Sequence, residues 1–232
     1  MTLTRFGFRE WGIALLVTLV VEAACFYLCR RGYPVWGISI GVVMLLFFLA
    51  FAAFFRNPHR EIPGDPRLIL SPADGVIRDI EVVEEFALPP FTGRALRIGI
   101  FLSVLDVHVN RAPADMTVES TNYRPGEYLD ARHNEASRRN EAMTIAGTAE
   151  VDGRKFPLAV RQISGAIARR IVCPVDAGRK LKRGEIYGMI KFGSRTELYL
   201  PETGFTISAK VGDRVYGGMS VLARVDEGNG EK

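Results

Sequence analysis

Two apolar blocks close to the N-terminus limit what this chain can fold into. They are residues 11–29, WGIALLVTLVVEAACFYLC, and residues 33–55, YPVWGISIGVVMLLFFLAFAAFF, with an Arg-Arg-Gly linker between them. As a helix, the second block reaches about 33 Å and can cross a hydrocarbon core of about 30 Å. The blocks therefore predict a hydrophobic helical hairpin, over residues 1–55, that anchors the chain in a membrane.

The depth and orientation of this hairpin follow from its few charges. Glu22 lies near the middle of the first block, and a charge there is costly in lipid, so the hairpin either spans twice or lies partly in the interface. No small-x-small cleavage site separates the blocks, which indicates permanent anchorage. Arg5, Arg9, Arg56 and Arg60 flank the outer ends. These four arginines outnumber Arg30 and Arg31, which lie between the blocks. The excess predicts a cell-membrane protein whose larger domain faces the cytoplasm.

Residues 56–232 leave about 175 residues for one further domain, enough for a single core. After a proline-rich connector, most of this part consists of short alternating runs separated by Gly, Pro, Asp or Asn. The runs are 76–85, 94–103, 106–112, 116–123, 143–153, 156–165 and 185–192. Only 128–141 is polar and helix-tolerant. The pattern predicts a β-rich domain over 56–232.

An internal similarity suggests how these strands are arranged. Residues 177–190, AGRKLKRGEIYGMI, and residues 211–224, VGDRVYGGMSVLAR, superpose Gly184 on Gly218 at an offset of 34 residues. Two such glycine-bearing hairpins resemble the barrel-sandwich design of biotinyl and lipoyl domains. The predicted fold is mainly β, a barrel-sandwich-like domain with an N-terminal hydrophobic helical hairpin.

The pair Gly193–Ser194 interrupts a strand-forming run from Ile186 to Leu200. One interpretation is a bulge or a tight hairpin corner. The other is chemical, because glycine removes the β-carbon that would shield its carbonyl, and a strained turn can bring the serine hydroxyl onto that carbonyl. Attack gives an ester, elimination then leaves dehydroalanine, and hydrolysis yields a pyruvoyl group. The pair alone leaves both interpretations open.

Four motifs in fixed order carry a resemblance to a known family. They are FFRNPHREIP (54–63), SPADGVI (71–77), FLSVLDVHVNRAP (101–113) and FGSRTELYLP (192–201). In these motifs and in the hydrophobic segment before them, the chain resembles the phosphatidylserine decarboxylase proenzymes in their shorter bacterial and archaeal form. The resemblance implies self-cleavage between Gly193 and Ser194 into a β chain, 1–193, and an α chain, 194–232, that remain together as a heterodimer.

The resemblance also implies an activity. The pyruvoyl group at Ser194 would form a Schiff base with the serine amine of phosphatidylserine and accept electrons as carbon dioxide leaves, giving phosphatidylethanolamine. It takes the place of pyridoxal phosphate. The implied partners are an anionic phospholipid and the membrane. One alternative is an archaetidylserine decarboxylase of the same chemistry. The other is a non-enzymatic membrane-tethered lipoyl- or biotinyl-like module, for which Lys191 is the nearest attachment lysine.

Three further residues are candidates for the site. Asp74 belongs to an Asp-Gly turn, and the resemblance implies that it also orients the base that deprotonates Ser194 during processing. His108 is either a hydrogen-bonded structural histidine or an acid/base. Longer family members carry a second histidine where this chain has Arg111. It stays open whether His108 serves both steps or Arg111 binds the substrate carboxylate or phosphate.

Other functions are disfavoured by what the sequence lacks. It has no His-x-x-x-His or Cys-x-x-Cys pattern, which argues against a metal site. The basic run from Arg161 to Arg183 has no interleaved aromatics for stacking nucleic acid. That run indicates either a solvated face or a patch facing lipid headgroups. His59 and His133 stand alone in polar stretches and are expected to be solvated.

Overall fold

A computed structural model describes residues 2–132, 134–166, 170–191 and 193–226. The chain divides into two compact units, Met1–His59 and Arg60–Lys232. The first is helical and the second consists mainly of strands, so the predicted fold class is confirmed.

The first unit is a hairpin of two long helices. The helices are α1 (Phe8–Arg30) and α2 (Pro34–Phe54), and both are long and apolar enough to cross a membrane. Between them the chain turns at Gly32, whose φ of +92° favours glycine. Before α1 lie strand β1 (Thr2–Leu3) and a 3₁₀ turn (Arg5–Gly7), and β1 pairs with β2 (Arg56–Asn57) after α2.

Two glycines of α2 let the helices approach closely. A Cβ on Gly37 would lie 2.4 Å from Cys29 Sγ, and one on Gly41 would lie 2.8 Å from a carboxylate oxygen of Glu22. Small residues at such contacts are typical of paired membrane helices. The Glu22 carboxylate therefore packs against Gly41 of the second helix.

The second unit contains the remaining elements. In chain order they are β3 (Leu68–Leu70), β4 (Gly75–Leu88), β5 (Phe91–Leu102), β6 (Val109–Arg111), β7 (Met116–Arg124), α3 (Asn134–Arg139), β8 (Ala142–Val151), β9 (Arg154–Ser164), β10 (Ile171–Val172), β11 (Lys180–Leu181), β12 (Ile186–Ile190), β13 (Ser194–Pro201), β14 (Phe205–Ile207), β15 (Arg214–Val215) and β16 (Val221–Val225). The helix-tolerant segment forms α3, and the alternating runs form strands.

The strands of this unit form one large curled sheet and two small ones. Within the described residues, the large sheet has eight strands in the order β11-β7-β8-β9-β13-β5-β4-β15. The small sheets are β10-β12-β6 and β14-β16-β3. Strand β13 lies between β9 and β5, antiparallel to both. Because side chains alternate along a strand, Leu198 and Leu200 of β13 enter the main core, while Glu197 and Tyr199 face the other side.

The two similar sequence segments form matching strand–turn–strand units, β11–β12 and β15–β16. The prediction that each is a hairpin was wrong, because β11 and β15 belong to the large sheet while β12 and β16 belong to the two small sheets. Gly178 N–H donates to the Val118 carbonyl at 2.7 Å, and Gly212 N–H donates to the Ile77 carbonyl at 2.9 Å. The glycines that follow β11 and β15, Gly184 and Gly218, both have positive φ, at +79° and +78°. The two units thus repeat both in backbone conformation and in hydrogen bonding.

The repeat extends to strands that the sequence comparison did not include. A Pro-Ala-Asp triplet follows β3 at residues 72–74 and follows β6 at residues 113–115. The two segments bond reciprocally, since Leu70 N–H donates to the Pro113 carbonyl and Arg111 N–H donates to the Pro72 carbonyl, each at 2.9 Å. The domain is therefore built on a pseudo-twofold repeat.

A buried ionic cluster lies on the other side of β13. Arg195 Nε donates to Glu197 Oε1 at 2.7 Å, and Arg195 Nη2 donates to Asp79 at 2.7 Å. The Tyr199 hydroxyl donates to Glu197 Oε2 at 2.5 Å. Burial alone would raise the pKa of Glu197, but Arg195 and two further arginines outweigh burial and lower it. These contacts compensate the cost of removing the charges from water.

Replacing one member of this cluster should destabilise the fold. We expect Glu197→Gln to lower the free energy of unfolding by about 3 to 5 kcal/mol, because it leaves the buried guanidinium of Arg195 poorly compensated. Urea unfolding of the detergent-solubilised chain measures this loss. Glu150→Gln is the control, since Glu150 forms an exposed 3.9 Å pair with Lys155. Equal effects of the two substitutions would contradict the expectation.

Candidate active site

Gly193 and Ser194 lie where the chain enters β13. Gly193 has a φ of +67°, which favours glycine, and Ser194 is the first residue of the strand. Ser194 is fully buried, and its Oγ has no hydrogen-bond partner among the described residues. A buried hydroxyl without a partner costs about 1 to 3 kcal/mol, so it needs an explanation beyond packing.

His108 meets this pair directly. Its Nε2 accepts a hydrogen bond from Gly193 N–H at 3.1 Å, and its Nδ1 lies 2.9 Å from the carbonyl oxygen of Asp106. A carbonyl only accepts, so Nδ1 carries the proton and Nε2 carries the lone pair. The imidazole is fully buried. It therefore presents its basic nitrogen to the backbone next to Ser194.

The loop before His108 is held by the carboxylate of Asp106. This carboxylate accepts from Ser103 N–H at 2.8 Å and forms an ion pair with Arg214. These contacts fix the backbone whose carbonyl orients the imidazole. The sequence did not single out Asp106 or Arg214, because nothing local distinguishes them from surface charges.

Asp74 is bound by the turn between β15 and β16. Its Oδ1 accepts from Gly217 N–H at 2.8 Å, and its Oδ2 accepts from Arg60 Nη2 at 2.7 Å. Burial raises the pKa of Asp74, while Gly217 N–H and Arg60 oppose that rise. The role of Asp74 in orienting the base stays a prediction.

The second repeat contains an equivalent of this contact. Asp115 accepts from Arg183 N–H at 2.7 Å, as Asp74 accepts from Gly217 N–H. Asp115 is more exposed, and although partial burial raises its pKa, the hydrogen bond from Arg183 and the charge of Lys182 lower it overall. The hydrogen bond from the turn to the aspartate carboxylate is therefore a feature of the repeated fold. What distinguishes Asp74 from Asp115 is its burial.

Arg111 lies next to Asp74 and Arg60. Its Nη1 donates to the Gly184 carbonyl at 2.9 Å. Burial lowers the pKa of Arg111, Arg60 acts in the same direction, and Asp74 opposes both. The structure thus joins His108, directly before β6, to Gly193, and brings Arg111, at the opposite end of β6, close to Asp74 and Arg60.

Gly165 packs against the carbonyl of Gly193. A Cβ on Gly165 would lie 2.3 Å from the Gly193 carbonyl oxygen, so no side chain fits without moving that carbonyl. Gly165 follows β9, whose last residue, Ser164, pairs with Ser194. A glycine directly after a strand was the one signal in the sequence that pointed to it.

Other predicted features have different outcomes. Lys191 is only 6% exposed, which does not meet the requirement of an accessible attachment lysine in a lipoyl-like module. In the basic run, Arg179 pairs with Glu185 at 2.8 Å and Lys182 pairs with Asp115 at 2.9 Å, as expected of a solvated face. His59 is exposed, as expected. His133 and Arg169 lie outside the described residues.

Comparison with known proteins relates this chain to a single family. A family model described as phosphatidylserine decarboxylase matches residues 47–223. A phosphatidylserine decarboxylase proenzyme of Carboxydothermus hydrogenoformans is 46% identical over 187 residues, which cover 80% of this chain and 84% of that protein. The proenzymes of Rhodopirellula baltica and Ralstonia pickettii are each 39% identical, cover 97% of this chain, and are themselves covered over 88% and 96% of their lengths.

The Arg60–Asp74 pair gives a stability prediction with a defined pH dependence. We expect Arg60→Gln to lower the free energy of unfolding at pH 7 by about 3 kcal/mol, because Asp74 becomes an uncompensated buried carboxylate. Loss of Arg60 raises the pKa of folded Asp74 further, so the folded state binds a proton that the unfolded state releases. The deficit therefore shrinks as pH falls and Asp74 becomes neutral.

Thermal unfolding in detergent between pH 4 and 8 measures this deficit. Arg94→Gln is the matched control, since Arg94 pairs at 3.1 Å with Glu84 at an exposed site, and we expect little effect at any pH. An Arg60→Gln deficit that does not vary with pH would show that Asp74 is not its cause.

Proposed function

The chain belongs to the phosphatidylserine decarboxylase family, and from this membership we propose a self-processing, membrane-associated enzyme that converts phosphatidylserine to phosphatidylethanolamine. One observation carries the proposal. A buried serine hydroxyl without a partner among the described residues follows a glycine of positive φ, whose N–H is bonded to a histidine. This arrangement has the parts that self-cleavage between Gly193 and Ser194 requires.

In the first step Ser194 Oγ attacks the Gly193 carbonyl carbon. The hydroxyl proton passes to His108 Nε2 as the C–O bond forms. The C–N bond to Ser194 then breaks, the departing nitrogen takes up a proton, and an ester replaces the peptide bond. Loss of the Ser194 α-proton breaks the Cβ–O bond, which releases the Gly193 carboxylate and leaves dehydroalanine. Addition of water with loss of ammonia gives the pyruvoyl end.

The residues at the site fit a pyruvoyl group at position 194. Ser194 is 0% exposed, and its neighbour Gly193 leaves room, because the nearest described atom to a Cβ there, in Val104, lies 3.8 Å away. When formed, the pyruvoyl ketone supplies an electron sink for the charge left as carbon dioxide departs. The group derives from the chain itself, and the proposal needs neither a metal nor pyridoxal phosphate.

The surrounding side chains have separate tasks in the proposed reaction. His108 Nε2, which carries a lone pair in the structure, takes up a proton from the substrate ammonium and delivers it to the substrate carbon after decarboxylation. Arg111, with Arg60 beside it, supplies positive charge for the carboxylate or phosphate of the lipid. Asp74 orients the base during processing, as the family resemblance implies.

The helical hairpin would tether the catalytic domain to the membrane that contains the lipid substrate. We assign residues 1–55 to the membrane anchor and residues 56–232 to the catalytic domain, with both ends of the hairpin in the cytoplasm. The two apolar helices support anchorage by their length and composition. After cleavage the α and β chains remain a heterodimer, because β13 pairs with β5 and β9 of the β chain.

Mass spectrometry of the purified protein tests the cleavage. We expect two fragments, 1–193 and 194–232, the second with a blocked N-terminus and lighter by one ammonia than a fragment that begins with serine. Ser194→Ala should give one intact, inactive chain, whereas Ser208→Ala, at an exposed serine, should process normally. An intact wild-type chain that still decarboxylates phosphatidylserine would overturn the proposal.

Gly165 gives a second test at the scissile carbonyl. We expect Gly165→Ala to slow cleavage by roughly 10- to 100-fold, because the added methyl displaces the carbonyl that Ser194 must attack. The appearance of fragments after cell-free synthesis in the presence of detergent measures the rate. Gly64→Ala is the control, since a Cβ there meets nothing within 4 Å. A wild-type rate in Gly165→Ala would show that this contact does not constrain the reaction.

A further inference from the structure

Three fully buried polar side chains form a chain of hydrogen bonds beneath the proposed cleavage site. Asn110 Nδ2 donates to Thr196 Oγ1 at 2.9 Å, and Gln162 Nε2 donates to Asn110 Oδ1 at 2.8 Å. All three residues are 0% exposed. Burying amides and a hydroxyl is costly unless they are bonded to one another, so these contacts determine how the three side chains are oriented.

This hydrogen-bonded chain connects the two strands that carry the reacting groups. Asn110 is two residues after His108 and lies on β6, and Thr196 is two residues after Ser194 and lies on β13. The strands belong to different sheets, so ladder pairing does not set the distance between them. The bond from Asn110 to Thr196 crosses that gap.

The pseudo-twofold repeat indicates that the fold itself does not require an amide here. In the β12–β6 pair, Asn110 faces Gly188, and at the same register of the β16–β3 pair, Ile69 faces Ala223. Ile69 is fully buried in the main core. Where the repeat that contains β3 has an ordinary core residue, the repeat that contains β6 has an amide.

We propose that Asn110 is a positioning residue, which holds His108 at the Gly193–Ser194 bond through its contact with Thr196. Gln162 fixes the orientation of the Asn110 amide, so that its NH₂ group faces the Thr196 hydroxyl. The inference rests on the proposed function, because the geometry it maintains is that of the self-cleavage step.

Such positioning matters because the proposed reaction tolerates only a small displacement of the reacting atoms. The nitrogen that accepts the Ser194 proton must come within hydrogen-bonding reach of Ser194 Oγ, and a shift of about 1 Å can cost about 100-fold in rate. His108 is supported from its own loop by the Asp106 carbonyl. That contact orients the ring from within its own loop, whereas the Asn110–Thr196 bond connects β6 to β13.

The test compares two substitutions of Thr196 in the full-length chain. Thr196→Val keeps the volume but removes the acceptor, and Thr196→Ser keeps the hydroxyl. After cell-free synthesis in detergent, we expect the valine variant to form the two fragments about 10- to 100-fold more slowly than wild type, and the serine variant to stay within about threefold of wild type. Hydroxylamine, which traps esters, should capture less of the valine variant than of wild type at equal times.

A stability-matched control separates positioning from a general loss of structure. Ile69→Val weakens the core at the equivalent position of the other repeat, and it should lower the melting temperature without slowing cleavage. Equal rates in Thr196→Val and wild type, or equal slowing in the valine and serine variants, would overturn the inference. If Thr196→Val does not fold, Gln162→Leu takes its place, and a wild-type rate there overturns it equally. Failure of wild type itself to cleave would instead remove the proposed function, and the inference with it.

Discussion

The hydrogen bond from Gly193 N–H to His108 Nε2 is the contact on which the arrangement of the site depends. It joins the residues that directly precede β6 and β13, two strands of different sheets. The bond forms only because several separate conditions are met. Gly193 takes a φ of +67°, which turns its N–H towards the imidazole. The Asp106 carbonyl keeps the proton on Nδ1, so that Nε2 can accept. Each condition comes from backbone geometry, and this makes the site a property of the fold as much as of its side chains.

The sequence predicted those features whose cause is local. A long run without charges predicted the helical hairpin, and alternation predicted most strands, because both patterns depend on near neighbours along the chain. Gly193, Ser194, His108, Asp74 and Arg111 came from short motifs. The contacts that support them did not, because Asn110 and Thr196 are 86 residues apart and Arg60 and Asp74 belong to different motifs. The repeated Pro-Ala-Asp triplet was visible in the sequence, but its spacing differs from that of the glycine-bearing segments.

The repeat explains how a reactive site arises in a stable domain. Both halves share the reciprocal backbone hydrogen bonds. In both, an aspartate carboxylate also accepts a hydrogen bond from the turn of a strand–turn–strand unit. At the positions where one half has Ile69 and Leu70, the other has Asn110 and Arg111, all of them buried. Apolar packing in one half and polar side chains in the other thus occupy the same framework. The half with Asn110 and Arg111 also supplies His108, directly before β6, whereas Asp74 follows β3 in the half with Ile69 and Leu70.

The position of the proposed break relative to β13 makes its two new ends unequal. From Ser194 to Tyr199 every residue is paired on both sides, with β5 and with β9. The Ser194 end, which would carry the ketone, is therefore held within the sheet. Gly193 lies outside the strand, and the freed carboxylate has no ladder to hold it. Cleavage there would free the Gly193 end and leave the Ser194 end fixed in the sheet, so the proposed reagent would form already aligned.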